Sequence, residues 1–123
     1  MRIVNSVLGD ARGGRWQVVC DYSRILTENG HEVLLLLNRR HLPGLDGIPP
    51  GVRVEAVSNH GHYDYLAAFS TRPRLRRFSP VLAIAHCSRS VALLKRALAS
   101  KTPVLAVSHS NKVRRMLAAD AYI

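Results

Sequence analysis

Acidic residues are missing from almost half of this chain. Positions 65–119 hold 11 Lys and Arg and no Asp or Glu, whereas residues 1–64 carry 7 basic and 7 acidic residues that cancel. Asp120 brings the formal net charge to +10. A one-signed half directs its field at an anion (a phosphate, an acidic lipid or a nucleic acid), and a solvated Arg-rich face is the plainer alternative. Cysteine is scarce: Cys20 and Cys87 are the only two, with no CxxC spacing. That excludes a disulfide framework and points to reduced core thiols in a cytosolic protein. No apolar run exceeds five residues, residues 33–37 being one, so none is long enough to span a bilayer. Positions 1–10 place Asn5, Ser6, Gly9 and Asp10 where a signal peptide needs an apolar h-region. There is no repeat at a period of 20–50 residues and no low-complexity segment.

What is present is globular usage: 123 residues, 47% apolar and 21% charged, enough for one domain with a modest core. Residues 2–8 form a short β-branched run closed by Gly9-Asp10 and Gly13-Gly14. Over residues 15–29, Val18, Val19, Tyr22, Ile25 and Leu26 recur at helical spacing, and Asn29-Gly30 supplies the stop. Residues 32–38 are a continuous apolar strand of the kind buried on both faces of a parallel sheet. Residues 39–51, with their Gly and Pro, predict a loop before a strand at 52–58. The Arg-rich segment 63–78 starts as a helix, with Leu66, Ala67 and Phe69 apolar, and Pro73 is expected to break or restart it. Strands follow at 81–85 and 102–108, around an amphipathic helix at 88–100 with Val91, Leu94 and Leu98 inward. A short basic helix is expected at 111–119, and residues 121–123 open a further strand.

Strands alternating with helices imply an α/β fold: a Rossmann-like parallel sheet with helices on both faces, three layers in αβα order. Ligands of such sheets sit beyond the carboxyl ends of the strands. Those tips fall at residues 9–14, 38–40, 58–62, 86–90 and 109–112, and three of them carry a histidine. The strand opening at 121–123 leads to the expectation that residues 1–123 are a truncated part of a longer chain.

Gly13-Gly14 follows the first strand and opens the first helix, where small residues let backbone N–H groups and the helix dipole approach a phosphate. Neither GxGxxG nor the P-loop pattern is present. Gly13-Gly14, then Asp21 and Leu26, then Asn29-Gly30-His31-Glu32-Val33 resembles the first βαβ unit of GT-B glycosyltransferases. The closest likeness is the large retaining family, glycosyltransferase family 4-like, that reads "GGaer…l…L…GHeV". Residues 79–90, from Ser79-Pro80 through His86-Cys87-Ser88-Arg89-Ser90, resemble that family's "PDvvhaHssrs". Residues 102–109, from Thr102-Pro103 to Ser108-His109, resemble its "tPvvatvHg", and residues 118–123 its "adrvia". The likeness runs in order over nearly the whole chain.

That resemblance implies an N-terminal, acceptor-side lobe over residues 1–123, with the C-terminal donor lobe and its Glu-x7-Glu motif absent, so that the chain alone is expected to be inactive. A complete enzyme would move a sugar from a nucleotide-sugar, a co-substrate and not a cofactor, to an acceptor hydroxyl with retained configuration and no essential metal. The acceptor would be a lipid-linked or cell-envelope glycan. His109 is the implied cleft residue that positions the sugar; a near-neutral imidazole can hydrogen bond without holding permanent charge. Gly13 and Gly14 would meet the donor diphosphate. Asp10, His86, Ser88, Arg89, Ser110 and Lys112 would face the acceptor. The sequence departs from the pattern at Arg15, Trp16 and Ser110.

His60, His62 and Asp64 spell HxHxD, which resembles a metallo-hydrolase motif. Tyr65 stands where the closing ligand belongs and the α/β order is wrong for that fold, so no metal site is expected. Arg72, Arg74, Arg76 and Arg77 form the densest charge run, and Lys112, Arg114 and Arg115 the second. They lack the interleaved aromatics of a stacking platform and no helix-turn-helix or RNP pattern accompanies them, which disfavours nucleic acid. With Leu75 and Phe78 they suit an acidic leaflet, at roughly 1 kcal/mol per basic residue, and so a cytoplasmic protein peripheral on the inner face of a membrane. An unfinished sheet edge would also allow a homodimer. The rivals are a stand-alone Rossmann-like or flavodoxin-like module binding a nucleotide or partner protein, and a basic membrane-surface or nucleic-acid binder.

Overall fold

The computed structural model describes residues 1–9, 13–42, 45–61, 63–109 and 116–123. In chain order they form β1 (Arg2–Val7), α1 (Gly14–Glu28), β2 (Glu32–Asn38), a 3-10 turn (Arg39–His41), β3 (Arg53–Val57), α2 (Tyr65–Phe78), β4 (Leu82–Ala85), α3 (Ser88–Ala97), β5 (Val104–Ala106) and β6 (Ala121–Tyr122). The described strands make one sheet in the order β3-β2-β1-β4-β5-β6, and every neighbouring pair is parallel. Each crossover therefore returns the chain to the same end, and all carboxyl tips lie along one edge.

Alternation on β1 builds the three layers. Ile3 packs with Ile84 and Val107 under Tyr22 and Leu26 of α1, and Asn5 bonds back to α1 on that face. Val4 points to the other face, into the larger cluster, which takes in Leu75 and Phe78 of α2 and Val91 and Leu94 of α3. Ser6 on this second face reaches Ser90 of α3. Among the described residues one helix thus covers one face and two cover the other. The run of leucines on β2 is buried throughout, as a strand covered on both faces requires.

Several expectations are corrected. Ile25, periodic with the inward face of α1, is exposed. Helix α3 ends at Ala97 because Leu98 turns extended, although Leu98 still packs into the core. Pro73 neither breaks nor restarts α2, which is continuous around it. The Pro73 ring lies on the exposed side, while Ala67, Ala68 and Thr71 before it and Leu75 and Phe78 after it are buried. Core contacts on both sides hold the two halves in line against the roughly 3 kcal/mol that an interior proline costs. The expected helix at 111–119 lies largely outside the described residues.

Asp120, the only acid after position 64, anchors the sheet's last strand. Its carboxylate accepts from Val104 N at 2.8 Å and from Lys95 Nζ at 3.0 Å, while its own N–H donates to the Val104 carbonyl. The bond from Val104, then that from Lys95, holds its carboxyl below the usual range. Leu94 is fully buried between α3 and the sheet. Leu94→Ala should cost about 2–5 kcal/mol in urea unfolding through lost burial and the cavity left behind.

Candidate functional site at the carboxyl edge

The centre of the edge is polar and closed. Asn5 is completely buried on the central strand. Its Nδ2 donates to the Val19 carbonyl at 3.1 Å and to Ser23 Oγ at 2.9 Å, both on α1. Its Oδ1 lies 2.7 Å from His86 Nε2. His86 follows β4 and is buried like a core residue, with 1% of its surface exposed. Its other nitrogen, Nδ1, is 3.1 Å from Nε2 of His109, which stands three residues past the end of β5. The Tyr22 ring meets His86 edge-on, with centroids 5.1 Å apart. Parallel pairing of β1, β4 and β5 thus brings together residues 5, 86 and 109.

Electrostatics keeps this cluster uncharged. Burial, then the neighbouring His109, then Arg15 lower the pKa of His86 from 6.5 to about 3. Burial and Arg15 also lower that of the half-buried His109. Arg15 is the residue that departs from the small side chain of the resembled pattern, and here it supplies positive charge beside both rings.

A second set of bonds stitches the edge to α3. Ser90 Oγ accepts from Leu8 N at 2.9 Å and from Ser6 Oγ at 3.0 Å. Gly9 N donates to Cys87 Sγ at 3.3 Å. Cys87 and Cys20 are both free and buried, as expected for a reduced protein. On the β2 side, Asn38 Nδ2 donates to the Leu8 and Asn59 carbonyls. Asn59 Oδ1 is buried without a partner among the described residues. Trp16, the second departure from the resembled pattern, inserts into the core and donates Nε1–H to the Asp46 carbonyl at 2.8 Å. It clamps the long β2–β3 connection to α1.

Gly13 is the N-cap of α1 at φ 64°, a left-handed conformation that favours glycine. Gly13 and Gly14 are exposed, and a Cβ on either would meet nothing within 4 Å. Ser88 and Arg89 are half-buried at the start of α3. His86 and His109 are in direct contact, whereas Asp10, Ser110 and Lys112 lie outside the described residues, as do Arg114 and Arg115. Sequence reasoning missed Asn5, Ser23, Tyr22 and Ser90. The available signal was the polar pair Asn5-Ser6 inside an apolar strand run, since buried polar groups need partners.

The basic run divides. Arg72 donates to the Arg96 carbonyl at 2.9 Å and lies over Phe69; Arg74 bonds Glu55 and the Ala56 carbonyl, both at 3.1 Å. Arg76 and Arg77 are exposed. Leu75 and Phe78, expected beside them at a membrane, are buried at 0% and 8% exposure and hold α2 to the core. The exposed large hydrophobic residues of α2 are Tyr65, Leu66 and Phe69, at 62%, 82% and 69%. In the HxHxD segment, both Asp64 oxygens accept backbone N–H groups, from His60 and Ala67, so Asp64 caps α2. His62 lies outside the described residues.

Because His86 binds its proton far more weakly folded than unfolded, the unfolded chain takes up more protons between pH 6.5 and about 3. Stability should therefore be intact above about pH 6.5 and fall as the pH drops through that window. Urea titrations of the wild type and His86→Gln should show this loss in the former and a flatter profile in the latter; parallel profiles would contradict the assignment.

No protein-family model and no curated protein sequence matches this chain. Solved structures do share its fold. A glycosyltransferase, VinC, in complex with dTDP aligns with TM-score 0.71 and 14% identity over 96% of this chain and 37% of its own. MurG of Acinetobacter baumannii aligns with TM-score 0.71 and 10% identity over 98% and 40% respectively. The lipopolysaccharide outer core galactosyltransferase WaaB aligns with TM-score 0.63 and 12% identity over 99% and 38%. The chain spans about 40% of the length of these structures or less. Its six-stranded parallel αβα fold is one that glycosyltransferases share.

Proposed function

We propose that this chain is the acceptor-side, N-terminal lobe of a retaining GT-B glycosyltransferase of the family 4-like kind, working with a C-terminal donor lobe. The observation that carries the reading is the His86–His109 pair, held by Asn5 at the carboxyl edge of the sheet, in a fold shared with glycosyltransferases. A parallel sheet binds ligands at that edge. The exposed N-terminus of α1 at Gly13-Gly14 offers backbone N–H groups to a diphosphate. One structural neighbour is a glycosyltransferase complexed with dTDP, which supports a nucleotide-sugar as donor.

In the reaction, the bond from the sugar's anomeric carbon to the diphosphate breaks, and its electron pair leaves with the phosphate oxygen. The acceptor oxygen bonds the same carbon on the same face, and its proton passes to the departing diphosphate. His109 would hold a sugar hydroxyl in place, with Ser88 and Arg89 towards the acceptor, a lipid-linked or cell-envelope glycan. No cofactor is required in this scheme. The enzyme carrying this lobe should transfer sugar from one member of a panel of nucleotide-sugars. His109→Ala should lower kcat by about 10²-fold, the scale of losing one preorganised hydrogen bond to the reacting groups. Absence of turnover with every donor, or full activity of the variant, would overturn the reading.

A surface on α2 favours cytoplasmic docking to an acidic leaflet. Leu66, Phe69, Arg76 and Arg77 are exposed and, at about 100° of turn per residue, fall on one side of the helix. Apolar groups that insert beside cations that meet headgroups suit that surface. Flotation should show binding to vesicles containing phosphatidylglycerol and little to phosphatidylcholine alone. Leu66→Ser with Phe69→Ser should weaken that binding several-fold without changing the circular dichroism spectrum. Equal binding to both vesicles would refute charge-directed docking.

A further inference from the structure

We propose that Asn5 and His86 are positioning residues that fix the tautomer of His109, so that this point of the edge accepts a hydroxyl proton and turns away a phosphate oxygen. That the hydroxyl belongs to a sugar rests on the glycosyl-transfer reading; the polarity itself does not. The argument is one of donor and acceptor accounting. Asn5 Nδ2 points at the Val19 carbonyl, which can only accept, so the carboxamide has one orientation. Its Oδ1 then faces His86 Nε2 at 2.7 Å and can only accept, so the proton of His86 sits on Nε2.

A neutral His86 consequently presents a lone pair at Nδ1. His109 Nε2, 3.1 Å away, must supply the proton of that bond. Neutral His109 is left with its lone pair on Nδ1, an acceptor for O–H or N–H. Nδ1 itself could meet an anionic oxygen only if His109 were protonated, which burial and then the positive charge of Arg15 oppose. Arg15 and Tyr22 of α1 and Asn5 of β1 face the pair, and no carboxylate bonds to either ring among the described residues. The edge is thereby partitioned: N–H donors at the start of α1 for phosphate, an acceptor at His109 for hydroxyl.

Long-range proton–nitrogen correlation spectra of the 123-residue chain, labelled with nitrogen-15 histidine, test this at neutral pH. Both His86 and His109 should be in the Nε2–H form, and inorganic phosphate in excess should leave both sets of nitrogen shifts in place. His109→Ala should leave His86 as Nε2–H, because Asn5 sets it from the opposite side. Asn5→Leu should release His86 and give His109 a mixture of tautomers; if that variant does not fold, the wild-type and His109→Ala spectra still decide. An Nδ1–H form of His109 in the wild type, a tautomer change at His86 in His109→Ala, or protonation of His109 by added phosphate would overturn the proposal. These spectra read the tautomers without turnover, so an inactive enzyme with both protons on Nε2 would defeat only the transfer reading.

Discussion

The carboxamide of Asn5 is the contact on which this molecule's edge depends. It lies on the central strand, fully buried, and ties together α1 through Val19 and Ser23, the tip of β4 through His86 and, by way of His86, His109 beyond β5. A buried amide that loses a partner costs about 1–3 kcal/mol. Here the partners lie on different elements, so the cost falls on any packing that shifts α1 or β4 out of place. Ser6, next along the strand, does the same on the opposite face by meeting Ser90. Two adjacent polar residues thereby lock the sheet between its helix layers.

Electrostatics at the edge follows from that packing. A histidine at the tip of a strand would ordinarily titrate near neutrality. His86 does not, since it is enclosed by Asn5, Tyr22 and His109 and faces positive charge from Arg15. What results is a neutral, directional pair of rings within the acid-free stretch 65–119. Within that stretch the cations serve different purposes. Arg72 and Arg74 tie α2 to α3 and β3, Lys95 holds the carboxylate that anchors β6, and Arg76 and Arg77 stay at the surface.

Most of the fold was legible beforehand because its signals are local. The leucine run of β2, the Asn29-Gly30 stop and the Gly-Gly opening of α1 each follow from short-range chemistry. Pro73 misled, since its penalty is local and the burial of Leu75 and Phe78 that overrides it is not. Ile25 misled for a related reason: helical periodicity names a face, and only the neighbouring layers determine how wide that face is.

The αβ alternation, the acid-free stretch and the placing of histidines at strand tips can all be read along the chain. These depend on spacing along the chain and on composition. Packing of the layers is what makes His86 and His109 touch, lets Asn5 orient them, and leaves Tyr65, Leu66 and Phe69 exposed on α2 while Leu75 and Phe78 are buried. Contacts between residues 5, 86 and 109 arise from strand order and register, which are settled by burying all faces of the sheet together. No window of sequence contains that information, because the partners are brought together only when the layers close.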